Sequence, residues 1–254
     1  MKITRLAFVL LLFVVAASAF SQATATTGGG ISIPTVSVGV NKAGESGDVA
    51  GSLQILALLT VLSLAPALLM MTTAFSRIII VFSFLRTAIG TPTIPPNQVV
   101  IGLSLFLTFT VMGPTYEEIN SQAIQPYVQK KITFDQAKDK AWTGIRKFML
   151  KQTYDKDLAL FANMARKTYR NPNDVEWKEL IPAFILSELK TAFIIGFYIF
   201  IPFLVIDFVV ASTLMSMGMM MMPPTVVALP AKLLVFLLAD GWTVLTKALI
   251  GGFG

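Results

Sequence analysis

Six charged side chains stand inside or beside apolar runs, and they are the residues most able to do chemistry. Glu188 and Lys190 open one run (SELKTAF), Asp207 interrupts IPFLVIDFVV, and Lys232 interrupts ALPAKLLVF. Arg77 and Arg86 flank the eight uncharged residues Ile78 to Leu85. A charge at the centre of a bilayer costs at least ~2.5–3.5 kcal/mol, so each needs a partner, a water-filled path or a place near a helix end. Carboxylates and ammonium groups could relay ions or protons. They could equally pair across helices or subunits. Both signs of charge are present here, which favours pairing over a lining of one sign, and Asp207 with Lys232 is the expected pair. Arg86, Glu188 and Asp240 could instead lie near helix ends with their charges reaching water.

A second constellation is apolar. Met215, Met217, Met219, Met220, Met221 and Met222 fill six of eight positions and are half of the 12 methionines in the chain. Ser216 and Gly218 fill the gaps, and Pro223-Pro224 closes the run. Methionine is unbranched and adaptable, so it packs against surfaces of changing shape. No single helix face holds four consecutive residues. A loop of this kind could pack as core, or it could form a soft apolar constriction that grips an extended chain and excludes water and ions.

Other chemistries are poorly served. The chain has no Cys and no His, which removes disulfides, thiolate sites, the commonest metal ligand and the commonest general base. No phosphate-binding glycine loop and no carboxylate cluster stands out. No cofactor or metal is expected, and an enzyme is the least favoured class. The formal net charge is +6, but 12 Lys and Arg lie between Tyr116 and Ile181 among 9 Asp and Glu. That is a solvated surface rather than a nucleic-acid stripe, so no nucleic acid is expected.

The elements that must position these residues follow from composition. Of 254 residues, 55% are hydrophobic and 13% charged, against about 25% charged in a soluble domain. The composition indicates an integral membrane protein in contact with lipid. Residues 1–19 read as a signal peptide: Lys2 and Arg5, an apolar run from Leu6 to Ala17, and small residues at Ala17-Ser18-Ala19. An uncleaved first membrane helix is the alternative. Residues 20–52 read as a flexible lead-in rich in small residues.

Four apolar blocks follow. Residues 53–115 are expected to form a first helical hairpin, with a kink at Pro66, a break at Gly90 to Pro96, and an end at Gly113-Pro114. Residues 182–254 are expected to form a second, from blocks Phe184 to Val210 and Val226 to Ile250, joined by the Met-rich loop. Between them, residues 116–181 read as a small soluble helical insert. Its first helix opens on the capping box Thr133-Phe134-Asp135-Gln136, with Phe134, Ala137, Ala141, Ile145 and Phe148 at helical spacing. A second insert helix is expected over Asp155 to Tyr169. The fold class is therefore all-α, with membrane-associated helical hairpins. A mature N-terminus outside and four crossings would place the insert on the extracytoplasmic side. The insert could be a docking surface or a plain helical cap on the membrane part.

Three stretches carry a resemblance: Leu68 to Gly90 (LLMMTTAFSRIIIVFSFLRTAIG), Pro95 to Phe109 (PPNQVVIGLSLFLTF), and Pro182 to Trp242, with SELKTAFIIGFYIFIPFLVIDFVVAS, MGMMMMPP and ALPAKLLVFLLADGW. In these the chain resembles the FliP family of flagellar type III export-gate proteins. The resemblance implies a bacterial inner-membrane, multi-pass subunit of the flagellar basal body. It implies a homo-oligomer of about five copies, with FliQ- and FliR-like partners, through which unfolded flagellar subunits pass. It places a methionine gasket on Met219, Met220 and Met221, with Met222 following where an apolar non-Met residue is common. It places buried charges on Glu188, Asp207 and Lys232, and hairpins that do not all cross as simple spans. Virulence-type homologues share the core, but the long N-terminal region here favours the flagellar branch. An ion or solute transporter using Asp207, Glu188 and Lys232 as relay groups remains the reading from a different class.

Overall fold

The computed structural model describes residues 55–253, apart from 61, 65, 66, 68, 69, 170, 172, 173 and 220. The expected signal peptide and lead-in, Pro66 with its kink, and Met220 lie outside the described residues. The chain divides into two units after Ser52, and every described residue belongs to the unit that begins at Leu53.

The described residues contain no strand. After a short apolar helix, Ile55–Leu64, helix α1 spans Phe75–Ile89. It stops where Gly90 adopts φ 95°, which a side chain disfavours, and donates its N–H to the Arg86 and Thr87 carbonyls. Pro92, Pro95 and Pro96 then prevent continuation.

Helix α2, Asn97–Ile119, does not end at Gly113-Pro114 as the sequence predicts. It passes through Pro114 into a π-helical turn, Asn120–Ile124, and a short α3, Gln125–Val128. Pro114 removes one ladder hydrogen bond. Packing on both sides of it, at buried Met112 and Ala123, outweighs that loss.

The insert contributes α4, Phe134–Gln152, and α5, Asp155–Met164. The capping box forms: the Gln136 N–H donates to Thr133 Oγ1, and the Thr133 N–H donates to Gln136 Oε1. The buried face of α4 is Ala137, Gly144, Phe148 and Met149. Phe134 departs from the expected face. At the helix start it lies beyond the core and sets its ring edge-on to Tyr127 at 6.0 Å. Helix α5 is shorter than the expected Asp155 to Tyr169, because Arg166 turns into the left-handed region (φ 54°) and the Lys167 N–H closes onto Ala162 O.

Helix α6, Trp177–Ser216, is 40 residues long and includes Pro182 and Pro202. It extends past the expected block at both ends. The last apolar block, by contrast, is broken. Helix α7, Pro224–Leu238, and α8, Gly241–Gly251, meet at 63°. Asp240 has φ 47°, and the Phe236 ring lies where a Cβ on residue 241 would fall, 2.1 Å away. Only glycine lets that ring sit inside the bend.

Helix α1 runs beside α6 in the same direction: Arg77 meets Glu188, and Phe84 sets its edge against Phe193 (5.1 Å) and Phe200 (6.2 Å). Helix α2 returns along α1, and α7 returns along α6 with Phe203 against Phe236. The start of α1, the end of α4, the first third of α6 and the chain end at Phe253 converge on one core. It contains Ile78, Phe82, Met149, Leu180, Phe184 and Leu249.

The outward faces are as apolar as the core. Phe106, Phe197, Phe208, Leu237 and Leu238 are all exposed. A helix that is apolar all round needs lipid or further protein around it. Asn97–Val128 and Trp177–Ser216 are each long and apolar enough to cross a membrane, as is the bent α7–α8 pair taken together. The fold is that of an all-α membrane-type protein.

Candidate functional site

The base of the bundle is organised by Arg77. The sequence suggests a residue flanking an apolar run, but Arg77 lies in the first turn of α1 and is only 2% exposed. Its Nε donates to Glu188 Oε2 at 2.9 Å and its Nη2 to Glu188 Oε1. Nη1 donates to Gly252 O at 3.1 Å, and Nη2 also reaches Gln152 Oε1 at 3.1 Å. The Phe253 ring lies 3.9 Å from the guanidinium carbon. Gln152 Nε2 in turn donates to Phe253 O. One side chain therefore ties together α1, α4, α6 and the chain end. Glu188 is fully buried, so the helix-end reading with its charge in water does not apply. A two-pronged guanidinium–carboxylate contact is the arrangement that makes a buried charge tolerable.

Lys190 is corrected in the opposite sense. It is exposed, and its partner Asp157 is buried. Lys190 Nζ donates to Asp157 Oδ1, Ser187 Oγ donates to Asp157 Oδ2 at 2.8 Å, and the Tyr154 N–H donates to Ser187 Oγ at 3.0 Å. These bonds clasp α5 of the insert to α6. Sequence reading missed Asp157, because an acid in the first turn of a solvated helix looks like an ordinary dipole partner.

Burial pushes the Asp157 carboxyl up, but the bonds from Lys190 and Ser187 outweigh it and hold the group below its usual range. A depressed carboxylate contributes stability that is fully present above its unfolded value and is lost as pH falls through the folded one. The clasp is thus expected to hold through neutral and mildly acidic pH and to open only below about pH 4. Hydrogen-exchange protection factors across α5 test this. Protection should be flat down to that range and then fall. In Asp157→Asn it should be lower at pH 7 and lack the acid step. An acid step unchanged in Asp157→Asn would assign it to another group.

Toward the other end of α6, the structure brings Asp207 and Lys232 together. Lys232 Nζ donates to Asp207 Oδ2 at 2.7 Å and to Ala88 O at 3.2 Å. Lys232 is buried, while the Asp207 side chain is 38% exposed. Asp207 Oδ1 is itself enclosed and has no hydrogen-bond partner. The pair borders a cavity of about 540 Å³ between α1, α6 and α7. Arg86 has no carboxylate partner among the described residues. Its Nη1 donates to Pro95 O and Asn97 Oδ1.

Beyond this pair, α6 ends in the methionine loop. Gly218 (φ 73°) donates to Met215 O, and the Met219 N–H reaches Leu214 O, closing the helix. Pro223 caps α7 and Pro224 starts it. Met219 is 40% exposed, Met221 100% and Met222 43%. Met215 and Met217 are also exposed. These five side chains are therefore not core within this chain. They form an uncharged apolar tip joining two apolar helices. Among the described residues, no three acidic side chains converge as metal ligands would.

A model of the FliP family matches residues 58–249, a region that holds every ion pair above and the methionine loop. The chain belongs to the FliP family. Three relatives carry the name flagellar biosynthetic protein FliP. The protein of Bacillus subtilis is 53% identical over 207 residues, covering 81% of this chain and 94% of its own length. That of Pectobacterium carotovorum is 52% identical over 203 residues, covering 80% and 79%. That of Buchnera aphidicola (from Acyrthosiphon pisum) is 52% identical over 201 residues, covering 79% of this chain but only 53% of the relative. The FliP-family match ends before Gly252 and Phe253, the two residues that meet Arg77 from the chain end.

Proposed function

We propose that this chain is a pore-lining, non-enzymatic subunit of the flagellar type III protein export gate. It acts in the bacterial inner membrane at the flagellar basal body. About five copies assemble around one path with FliQ- and FliR-like subunits, and unfolded flagellar subunits pass between them. The supports are family membership, relatives named for flagellar biosynthesis, and helices apolar enough to cross a membrane.

The observation that carries the reading is the methionine tip. Met219, Met221 and Met222 are exposed at the turn between two apolar helices, held by Gly218 and Pro223-Pro224. With Met220 they would form a deformable seal. Thioether side chains rearrange around a moving chain without leaving polar groups unpaired.

Replacing Met219, Met220 and Met221 with alanine is expected to leave assembly intact and raise small-ion conductance. If these residues were instead core within the assembly, cavities costing ~2–5 kcal/mol each would abolish it. Oligomer yield and ion conductance on the same triple variant separate the outcomes. An intact, non-leaky oligomer would remove the seal. The relatives' flagellar names favour this reading over a virulence-type gate. A transporter is disfavoured because Asp207 and Lys232 are engaged with each other.

A further inference from the structure

Of the three acids in the last two apolar blocks, Glu188 holds Arg77 and Asp207 holds Lys232. Asp240 has no such partner among the described residues. It stands at the N-cap of α8, where an aspartate normally accepts from the first N–H groups of the helix. Here its backbone is left-handed, with φ 47°, and its side chain makes no cap bond. The residue is exposed.

Its depth follows from the rings on either side. Phe236 packs on Phe203 at 6.3 Å, and Phe203 comes one helical turn before Asp207. Trp242 packs on Phe82 at 6.1 Å, and Phe82 comes more than one turn after Arg77. Phe236 and Trp242 also meet each other, at 5.5 Å. Asp240 lies between them in the chain, so it sits inside the levels marked by both ion pairs. Helix α8 buries Leu245 and Leu249 and turns Thr243, Val244, Lys247 and Ala248 outward, all exposed.

A bare carboxylate at such depth is strongly unfavourable in lipid, and its side chain is too short to reach water. Lys247, two turns along α8, has a stem long enough to carry its ammonium toward the Arg77 level. A proton would neutralise Asp240 but leave its oxygens without partners in hydrocarbon. A second copy in the same orientation offers no free base there. Its Arg77, Lys190 and Lys232 are paired, and its Lys247 stands two turns away. Its Arg86 is engaged with Pro95 O and Asn97 Oδ1. The missing base must come from a different protein.

We propose that the outward face of α8 docks a membrane helix of another protein, one that carries a single Lys or Arg within its apolar stretch. That cation donates to the Asp240 carboxylate, and apolar side chains beside it lie against Val244 and Ala248. The inference gives the proposed gate a contact for a partner subunit. It rests on the membrane location proposed above, not on the passage of substrates.

The test reconstitutes the full chain in phosphatidylcholine vesicles with synthetic helices of about 20 Leu and Ala residues, identical except for Lys, Leu or Glu at the centre. Energy transfer from the chain's tryptophans to a dansyl group on the peptide reads association. The Lys peptide should bind about tenfold more tightly than the Leu peptide, and the Glu peptide no more tightly than Leu. Asp240→Asn keeps the shape and should bring the Lys peptide down to the Leu level. Asp240→Lys should pass the preference to the Glu peptide. Should Asp240→Asn fail to fold by circular dichroism, Ala248→Trp decides: it blocks the face with Asp240 intact and should abolish the preference. Equal binding of the three peptides by wild type, or a preference that survives Asp240→Asn or Ala248→Trp, would overturn the face. A carboxylic-acid infrared band lost in Asp240→Asn would assign a bound proton instead, and a changed oligomer size of the chain alone in Asp240→Asn would assign a second copy; either overturns it. Carbonate extraction of membranes holding the same chain reports separately on the location.

Discussion

Replacing Glu188 with alanine is expected to destabilise the fold by about 3–5 kcal/mol, because it strips a buried guanidinium of its counter-charge. Arg77 would keep its bonds to Gly252 O and Gln152 Oε1 and its contact with the Phe253 ring. Those acceptors are neutral and cannot offset a desolvated cation. For a chain of this size the loss is a fall in melting temperature of roughly 10 °C, readable on the full chain in mild detergent. The double variant Arg77→Met/Glu188→Leu should recover most of it, since no charge is then left bare and similar volume is kept. The four-element junction would still lose Gln152 and the chain end as partners, so recovery should be incomplete. A Glu188→Ala protein that melts with the wild type would show that Arg77 finds water or another acid.

The Asp207–Lys232 pair should give the second-largest effect. Lys232→Ala leaves Asp207 and Ala88 O without their donor, while Asp207→Ala leaves buried Lys232 with Ala88 O alone. Asp207 is partly exposed, and solvent screening reduces the penalty. About 1–3 kcal/mol is expected for either single change. The charge swap Asp207→Lys/Lys232→Asp should recover only part. It restores opposite charges but sets a carboxylate, which cannot donate, against the Ala88 carbonyl. Oligomer yield after mild extraction and the melting temperature are the measurements. Wild-type values in both single variants would mean the pair is solvated.

How much of this was legible in the sequence depended on how local the cause was. The capping box at Thr133 and Gln136 spans four residues and forms as read. The stop at Gly90 is equally local. Asp207 and Lys232 could be matched because each has apolar runs on both sides, far from a helix-end position. Arg77 and Glu188 could not, since 111 residues separate them and either could have faced water at a helix end. Asp157 was hidden among the many acids of the insert.

Helix limits failed where tertiary packing overrode local chemistry. Pro114 is carried through because the helix is held on both sides. The α7–α8 bend depends on Asp240 in a left-handed conformation and on a ring seated over Gly241, which no hydrophobic pattern announces. The FliP-like stretches, by contrast, were recognisable from their residues alone.

The unbroken length of α6 turns the ion pairs at Glu188 and Asp207 into the marks of a ruler. Glu188 and Asp207 stand on one helix, and at 1.5 Å per residue their positions are ~28 Å apart along its axis. That is close to the ~30 Å depth of a bilayer's hydrocarbon. The stretch between Thr191 and Ile206 contains no charge at all. A hydrocarbon slab fitted to that interval meets the pair at Asp207 at one boundary and the charges of Glu188, Lys190 and Arg77 at the other. Glu188, Lys190, Asp207 and Lys232, which look prohibitive within apolar blocks, would then mark the slab's edges. In the same setting, Phe208 to Met219 would stand beyond the slab, with Met215 held clear of the acyl chains by about two helical turns.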